Sequence, residues 1–252
     1  MDETFSVRGR VVLTTGAGRG IGRALALAFA ERGARVALAS RTGAEIQRAA
    51  AECRASGAEA LALEVDVRSV ASVEAMVRRT LDVFGRLDVL INNAGVYVNA
   101  PALDLTEDDW SLMVDTNVTG AFFCARTAAR AMLGRGGRII NISSALAGVA
   151  QEGYACYGGT KAALEQMTRV MALEWARHGI TVNAIAPTTT ATPERPGRLT
   201  TPEAVQRARE KIPLGRYGRP EDLIGAALYL ASPASSFMTG AVLRIDGGFS
   251  LP

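Results

Sequence analysis

The stretch Thr15-Gly16-Ala17-Gly18-Arg19-Gly20-Ile21-Gly22 decides the fold of this 252-residue chain. It joins an apolar run, Val11 to Thr15, to a segment of helical periodicity, Arg23 to Arg32. Glycines let such a turn approach a ligand closely, and the free amides and dipole of the following helix attract phosphate. The spacing is TGxxxGxG, since no register of the general pattern GxGxxG has its third glycine here. The flanking strand and helix favour a dinucleotide-binding turn over a plain glycine-rich loop.

Six further β-rich runs follow the first, with helical stretches between them. We expect strands at Arg35 to Ala39, Ala60 to Val65, Val89 to Asn92, Arg138 to Ile142, Thr181 to Ile185 and Ala241 to Ile245. Strands that alternate with helices form a parallel sheet covered on both faces. We therefore predict an α/β fold, a doubly wound parallel sheet of the Rossmann type with seven strands, in a single dinucleotide-binding and catalytic domain over residues 1–252. Ligands of such sheets bind at the carboxyl ends of the strands.

The composition argues against several other classes of protein. The 28 basic and 25 acidic residues are interspersed and give a net charge of +3, so we expect no nucleic-acid partner. No apolar stretch reaches about 18 residues, and the N-terminus lacks an apolar secretory core, so we expect no membrane span and a cytoplasmic location. Cys53, Cys124 and Cys156 match neither a disulfide framework nor a zinc site, and His178 is the only histidine. We expect reduced thiols and no metal.

A tyrosine and a lysine stand four residues apart in Tyr157-Gly158-Gly159-Thr160-Lys161, at the head of a strongly helical segment. Both side chains then lie on one face of the helix. A free tyrosine titrates near 10, and a nearby cation lowers its pKa toward the range in which it exchanges protons at neutral pH. The pair therefore predicts a proton donor and acceptor, although a packed tyrosine beside a surface lysine is the commoner interpretation of the pair alone.

Two more motifs place polar groups at the carboxyl ends of predicted strands: Asn92-Asn93-Ala94-Gly95 after the fourth and Asn141-Ile142-Ser143-Ser144 after the fifth. With the glycine turn and the tyrosine–lysine pair, in this order, they resemble the short-chain dehydrogenase/reductase family over nearly the whole chain. The resemblance implies an oxidoreductase that moves a hydride between a nicotinamide and a carbonyl or secondary alcohol.

The resemblance also implies roles for individual residues. Tyr157 matches the general acid/base, and Lys161 matches the residue that lowers its pKa and holds the ribose hydroxyls. Ser144, thirteen residues before the tyrosine, matches the donor to the substrate oxygen, with Ser143 as the neighbouring alternative. Asn117 matches the asparagine that positions a water in the proton relay; the alternative for it is a polar residue on a helix surface.

Further residues match the family's cofactor contacts. They are Gly16, Arg19, Gly20, Ile21 and Gly22 in the turn, Asp66 and Val67 after the third strand, Asn93, Ala94 and Gly95 after the fourth, and Pro187 and Thr192 after the sixth. Asp66 implies an adenine contact, and Thr192 implies a contact to the nicotinamide carboxamide. One departure from the family is Thr188, which stands where the family commonly has a glycine after Pro187.

The end of the second predicted strand indicates which dinucleotide is preferred. An NAD enzyme usually has an acid there, and that acid would repel a 2′-phosphate. This chain has Ser40 and Arg41 instead, and Arg19 in the turn can approach the same phosphate. The pattern resembles the NADP(H)-preferring members of the family, so we expect NADP(H) to be favoured over NAD(H). The alternative is that both arginines point to solvent.

The substrate stays open at this point. The run Leu214 to Asp222 and the ending Ile245-Asp246-Gly247-Gly248 are similar to 3-oxoacyl carrier-protein reductases and to related sugar and alcohol dehydrogenases. Reduction of a 3-oxoacyl thioester is therefore one function, oxidation of a sugar, polyol or other secondary alcohol is another, and a non-catalytic dinucleotide-binding sensor is a third. We expect a substrate loop at about 188–212, where a basic cluster could meet an anionic group; its members are Arg195, Arg198, Arg207, Arg209 and Lys211.

Two helices predict a homotetramer. These are Phe122 to Leu133 and Ala162 to Trp175, which the family commonly pairs between subunits. The second helix is apolar nearly all round, so the sheet would cover one side and a partner the other. The alternative is a wide core stripe in a monomer.

Overall fold

The structure, a computed structural model, describes residues 3–192 and 201–251. A seven-stranded, all-parallel sheet has the order β3-β2-β1-β4-β5-β6-β7. The strands are β1 Val11–Thr15, β2 Arg35–Ser40, β3 Ala60–Glu64, β4 Val89–Asn92, β5 Gly137–Ile142, β6 Ile180–Pro187 and β7 Val242–Ile245. The predicted Rossmann-type fold is confirmed, and the first and last residues of each predicted strand are within two positions of those observed.

Helices cover both faces of the sheet. They are α1 Gly20–Ala30, α2 Gly43–Ala55, α3 Val70–Phe84, α4 Glu107–Val114, α5 Ala121–Met132, α6 Ala155–Trp175, α7 Pro202–Lys211 and α8 Glu221–Ala231. On one face α1, α2 and α8 bury side chains such as Phe29, Ile46 and Leu230 against the strands. On the other face α3, α5 and α6 bury side chains such as Met76 and Met132. Each face thus has its own apolar core, and the strands lie between the two.

Helix α6 begins seven residues before the predicted Ala162, because packing overrides the low helix propensity of two glycines. A Cβ at Gly158 would lie 2.8 Å from the carbonyl oxygen of Leu146, so the glycine permits a close approach of the helix to the loop after β5. Helix α1 similarly begins at Gly20, before the predicted Arg23. Both extensions bring helix N-termini to the carboxyl edge of the sheet.

The chain turns from β1 toward β2 and β3 on one side and resumes at β4 on the other. The loops after β1 and β4 therefore diverge and leave a crevice between them, as expected for a doubly wound sheet. All three cysteines are free and buried. No helix in the described part of the chain has the length and apolar character needed to cross a membrane.

Candidate active site

A cavity of about 470 Å³ lies at the carboxyl edge of the sheet. All the predicted site residues except Gly22 and Asn117 line it. The lining therefore includes Gly16, Arg19, Gly20, Ile21, Ser40, Arg41, Asp66, Val67, Asn93, Ala94, Gly95, Ser144, Tyr157, Lys161, Pro187 and Thr192. The fold thus brings residues that follow six different strands, β1 to β6, into the lining of one cavity.

The glycine turn is held against the loop after β4. Gly16 has φ of +64°, and a Cβ there would lie 2.9 Å from the Cα of Ala94, so the position needs glycine on both counts. The side-chain amide of Asn93 donates to the carbonyls of Thr15 at 3.0 Å and of Gly16 at 3.1 Å. Gly22 lies behind this contact, because a Cβ there would collide with the Gly16 carbonyl and the Asn93 amide. Asn93 and Gly22 therefore shape the turn from behind.

The wall that follows β2 carries charges of both signs. Arg41 and Ser40 line the cavity, and so does Glu45, in the first turn of α2. A Cβ built on Gly18 would lie 3.0 Å from Ser40 Oγ and 3.3 Å from Glu45 Oε2, so both side chains border the glycine turn. Asp66 is paired with Arg68, whose Nη2 donates to Oδ2 at 2.6 Å and holds the pKa of the carboxyl below its usual value.

Ser144 and Tyr157 meet at the other end of the cavity. Burial of the phenol raises the pKa of Tyr157 above its usual value, and the interaction with the Ser144 side chain opposes that rise in part. The rings of Tyr97 and Tyr154 pack around Tyr157, with centroids 5.9 Å and 6.1 Å from its own. Ser144 Oγ also accepts from the amide of Leu146 at 3.2 Å. The Tyr157 hydroxyl thus lies in a partly desolvated site beside a second hydroxyl.

Ser143 has a different partner. Its hydroxyl donates to Glu165 Oε1 at 2.9 Å, and both residues are buried. Glu165 lies one helical turn after Lys161 and is itself 3.8 Å from Arg169. Because the Ser143 hydroxyl is occupied inside the protein, Ser144 is the better placed of the two serines to meet a substrate oxygen.

Lys161 is 4% exposed, and its Nζ donates to the carbonyl of Ile142 at 2.8 Å. Burial lowers the pKa of this ammonium group to about 8, so it is mainly protonated at neutral pH. Nζ lies 5.8 Å from the centroid of the Tyr157 ring. A positive charge is thereby held close to the phenol.

Asn117 lies behind the cavity wall, in a π-helical segment, Asp115–Gly120. It is 1% exposed, which excludes the surface position considered as its alternative. Its amide donates to the Val96 carbonyl at 2.8 Å and to Thr160 Oγ1 at 3.0 Å, while its oxygen accepts from the Val96 amide. Asn117 therefore connects the loop after β4 to the helix that carries Tyr157 and Lys161. Single π-turns of this kind are frequent at functional sites.

The segment after β6 closes the remaining side. Thr188, Thr190 and Thr192 line the cavity, and Thr192 Cγ2 lies 3.4 Å from the position of a Cβ on Gly20. No non-glycine residue in ranges 3–192 and 201–251 has a positive φ, so Thr188 does not need the conformational freedom of the family glycine. Arg195 and Arg198 lie outside the described residues. Arg207, Arg209 and Lys211 are exposed on α7, and none of these three lines the cavity.

Several lining residues were not predicted from the sequence, among them Glu45, Tyr97, Gln151, Tyr154 and Phe249. Tyr97 follows the Asn-Asn-Ala-Gly motif by two residues, which is a signal that could have placed it. Phe249 reaches the cavity through a C-terminal turn in which Asp246 accepts from the amides of Gly248 and Ser250. No local pattern before that turn indicates where the ring goes.

Known proteins resemble the chain over its whole length. The family model described as enoyl-(acyl carrier protein) reductase matches residues 16–250. A 3-oxoacyl-[acyl-carrier-protein] reductase of Synechocystis sp. is 39% identical over 95% of this chain and 96% of its own length. An NAD-dependent glycerol dehydrogenase of Listeria innocua is 36% identical over 99% and 97%. The crystal structure of a short-chain type dehydrogenase/reductase from Mycobacterium marinum is similar with a TM-score of 0.94, 40% identity and 99% coverage of both chains.

Proposed function

The chain belongs to the short-chain dehydrogenase/reductase family, and from that premise we propose that it is an NADP(H)-dependent oxidoreductase acting on a carbonyl or secondary alcohol at the Ser144–Tyr157–Lys161 site. The observation on which this depends most is the convergence of Ser144, Tyr157 and buried Lys161 in one cavity, with Lys161 Nζ 5.8 Å from the centroid of the Tyr157 ring. Those three groups lie in the same cavity as the glycine turn.

The residues present fit a dinucleotide. Gly16 and the left-handed Gly20, with φ of +56°, place no side chain of their own on the turn at the N-terminus of α1, where a phosphate could approach the backbone. Lys161 would hold the ribose hydroxyls, and Asp66 with Val67 would border the adenine. When bound, the nicotinamide supplies or accepts the hydride at the substrate carbon.

The protein's own part in the reaction is proton transfer and charge stabilisation. Tyr157 gives a proton to the carbonyl oxygen during reduction, or takes one from the alcohol during oxidation. Lys161 keeps a positive charge 5.8 Å from the centre of the phenol ring, and a positive charge there favours the ionised form that Tyr157 takes after it has given up its proton. Ser144 donates to the same oxygen and stabilises negative charge as it develops. Asn117 holds the loop after β4 against α6 through its hydrogen bonds to Val96 and Thr160. We propose that it also positions a water molecule in the proton relay.

The preference for NADP(H) follows from Arg41 and Arg19, which line the same cavity as Ser40. Guanidinium groups bind phosphate oxygens in a fork, and a serine at the end of β2 does not repel a 2′-phosphate. Glu45 works against this preference, because its carboxylate borders the same turn. We propose that the two arginines outweigh the single carboxylate, which leaves a clear but moderate preference.

The surroundings of Tyr157 are mostly uncharged in the described part of the chain. The rings of Tyr97 and Tyr154 pack around it, and Gln151 and Phe249 also line the cavity. Apart from Arg19 and Arg41, Lys161 is the only cation among the described lining residues. We propose a substrate whose reacting carbon carries uncharged groups, with 3-oxoacyl thioesters as the first class and polyols or other secondary alcohols as the second. A contribution from the substrate loop at 188–212 to an anionic group stays a prediction.

We also propose a homotetramer in which α5 and α6 pair between subunits. Leu164 and Met171 on α6 are buried against the sheet, whereas Val170 and Leu173 are 44% and 82% exposed. Neighbouring α5 contains Arg126, whose Nε is buried without a hydrogen-bond partner in the described chain. A partner helix would cover the apolar side chains and supply the missing acceptor.

Purified protein assayed with NADPH and NADH against ketones, 3-oxoacyl thioesters and keto-sugars tests the proposal. We expect oxidation of NADPH with at least one class and lower efficiency with NADH. Binding of the dinucleotide without turnover of any substrate would favour the non-catalytic sensor. Absence of binding would refute the assignment altogether.

A further inference from the structure

A turn over residues 214–222, which leads into the first turn of α8, is closed by a bidentate ion pair. Arg216 Nη1 donates to Asp222 Oδ2 at 2.7 Å, and Nη2 donates to Oδ1 at 2.8 Å. Oδ2 also accepts from the amide of Arg219 at 2.7 Å. Because of this pairing the pKa of Asp222 falls to about 2, so the carboxylate is charged at every pH at which the protein would be assayed. Arg216 and Asp222 are called the Arg216–Asp222 clamp below.

The clamp encloses Gly218, which pairs with the threonine segment after β6. The amide of Gly218 donates to the Thr189 carbonyl at 3.0 Å, its carbonyl accepts from the Ala191 amide at 2.8 Å, and Thr190 is its bridge partner. A Cβ at Gly218 would lie 3.3 Å from Thr190 Oγ1, tighter than most real contacts. The turn and the threonine segment are therefore joined by a single parallel β-bridge with two backbone hydrogen bonds.

Both ends of the turn are tied to firm parts of the molecule. Asp222 lies in the first turn of α8, whose Leu223 and Leu230 are each 1% exposed in the core. At the other end the Leu214 amide donates to the Gly247 carbonyl at 3.1 Å, in the C-terminal turn that presents Phe249 to the cavity. The clamp thus connects a buried helix with two walls of the active site.

We propose that Arg216 and Asp222 are positioning residues for the nicotinamide end of the cofactor site, an inference that rests on the proposed function. The ion pair holds the turn that contains Gly218 in place. Gly218 in turn holds the backbone of residues 189–191 through two hydrogen bonds, and this segment leads to Thr192, which lies beside the glycine turn. An isolated exposed ion pair usually contributes little to stability. This pair differs because its geometry is bidentate and because it sets the position of a β-bridge that lines a ligand cavity.

Arg86 offers a matched control. Its side chain is 47% exposed, the same fraction as Arg216, and its guanidinium also pairs with an aspartate, Asp88. Asp88 accepts from the amide of Val11, the first residue of β1, so this pair lies at the amino edge of the sheet, away from the cavity. Replacement of either arginine removes one such pair, but only the Arg216 pair closes the turn in which Gly218 contacts the threonine segment.

The experiment compares two ligands on three proteins by calorimetry or fluorescence, without turnover. The ligands are NADPH and adenosine 2′,5′-bisphosphate, which lacks the nicotinamide; NADH and ADP-ribose replace them if the chain prefers NADH. For Arg216→Ala we expect Kd for NADPH to rise about five- to tenfold, the effect of losing about one well-placed contact, while Kd for the bisphosphate changes less than about twofold. Arg86→Ala should change neither Kd.

A second variant keeps the clamp intact. Gly218→Ala adds a Cβ against Thr190 and should displace residues 189–191. We therefore expect it to weaken the binding of NADPH more than the binding of the bisphosphate. This variant tests the proposal if Arg216→Ala does not fold. Equal weakening of both ligands, or no weakening of either, in the soluble variants would overturn the proposal. If the wild-type protein binds neither ligand, the proposed function fails and this inference fails with it.

Discussion

Ser143 and Ser144 are adjacent but have different partners in the structure, so under the proposed function the same substitution at each should give different results. Ser144 lines the cavity beside Tyr157, whereas Ser143 donates to the buried carboxylate of Glu165. We expect Ser144→Ala to reduce turnover strongly and to reduce stability by no more than about 1 kcal/mol. We expect Ser143→Ala to reduce stability with little loss of turnover.

The sizes of both effects can be worked from these contacts. Removal of a donor to a developing oxyanion costs on the order of a hundred- to a thousandfold in kcat. Ser144→Ala also loses the acceptor for the Leu146 amide, a cap contact worth about 1 kcal/mol. Ser143→Ala leaves the buried Glu165 with one donor fewer, at a cost of about 1–3 kcal/mol. In a chain of this size each kcal/mol lowers Tm by roughly 2–4 °C.

Steady-state kinetics with the best substrate and thermal unfolding in the same buffer measure the pair of variants. Each serves as the control for the other, because the atoms removed are identical. An equal loss of turnover in Ser143→Ala and Ser144→Ala would show that the two serines do not have different roles. A Ser144→Ala variant that kept more than about a tenth of wild-type kcat would show that Ser144 is not the oxyanion donor, since such a donor should be worth more than that.

Three further predictions follow from the site and its surroundings. The pKa of Lys161 is about 8 in the folded chain and higher in the unfolded one, so wild-type stability should rise with pH from about 8 to 10. Lys161→Met should therefore be more stable than wild type at pH 7 and lose that advantage by pH 10 in thermal unfolding; a less stable variant at pH 7 would contradict this. Arg41→Ala should lower kcat/KM for NADPH about ten- to a hundredfold with little change for NADH, whereas Glu45→Gln should raise it; parallel changes with both cofactors would show that neither side chain faces the 2′-phosphate. Light scattering should give the mass of four chains, and a clean monomer would establish the wide-core interpretation of α6.

The fold could be predicted from the sequence because its strands are short apolar runs separated by turns and long helices. Helices α1 and α6 begin earlier in the structure than the sequence predicts. Glycines at Gly20 and Gly158 lower helix propensity, so the sequence favours later starts for α1 and α6. Tertiary contacts reverse this, since Gly158 lets α6 approach the Leu146 carbonyl. Helix propensity depends on neighbouring residues only, so it cannot predict a contact between Gly158 and Leu146, which lies twelve positions earlier in the chain.

Only part of the candidate site could be predicted from the sequence. Tyr157, Lys161 and Ser144 stand at fixed spacings and on defined elements, so their convergence in one cavity could be expected. The choice of Ser144 over Ser143 gains its physical reason only from Glu165, which lies on another element and has no pattern that connects it to the serines. Glu45 was missed for a similar cause: it follows β2 by five residues, and only the fold of the glycine turn brings its carboxylate beside Ser40.

The central claim is that Tyr157 transfers the proton that accompanies hydride transfer, and the variant Tyr157→Phe tests it most directly. The change removes the hydroxyl and keeps the ring that packs on Tyr97 and Tyr154. With the best substrate of the panel, NADPH oxidation should fall by roughly a hundred- to ten-thousandfold, while Kd for NADPH stays within about twofold of wild type. Substantial residual turnover with normal NADPH binding would contradict the account.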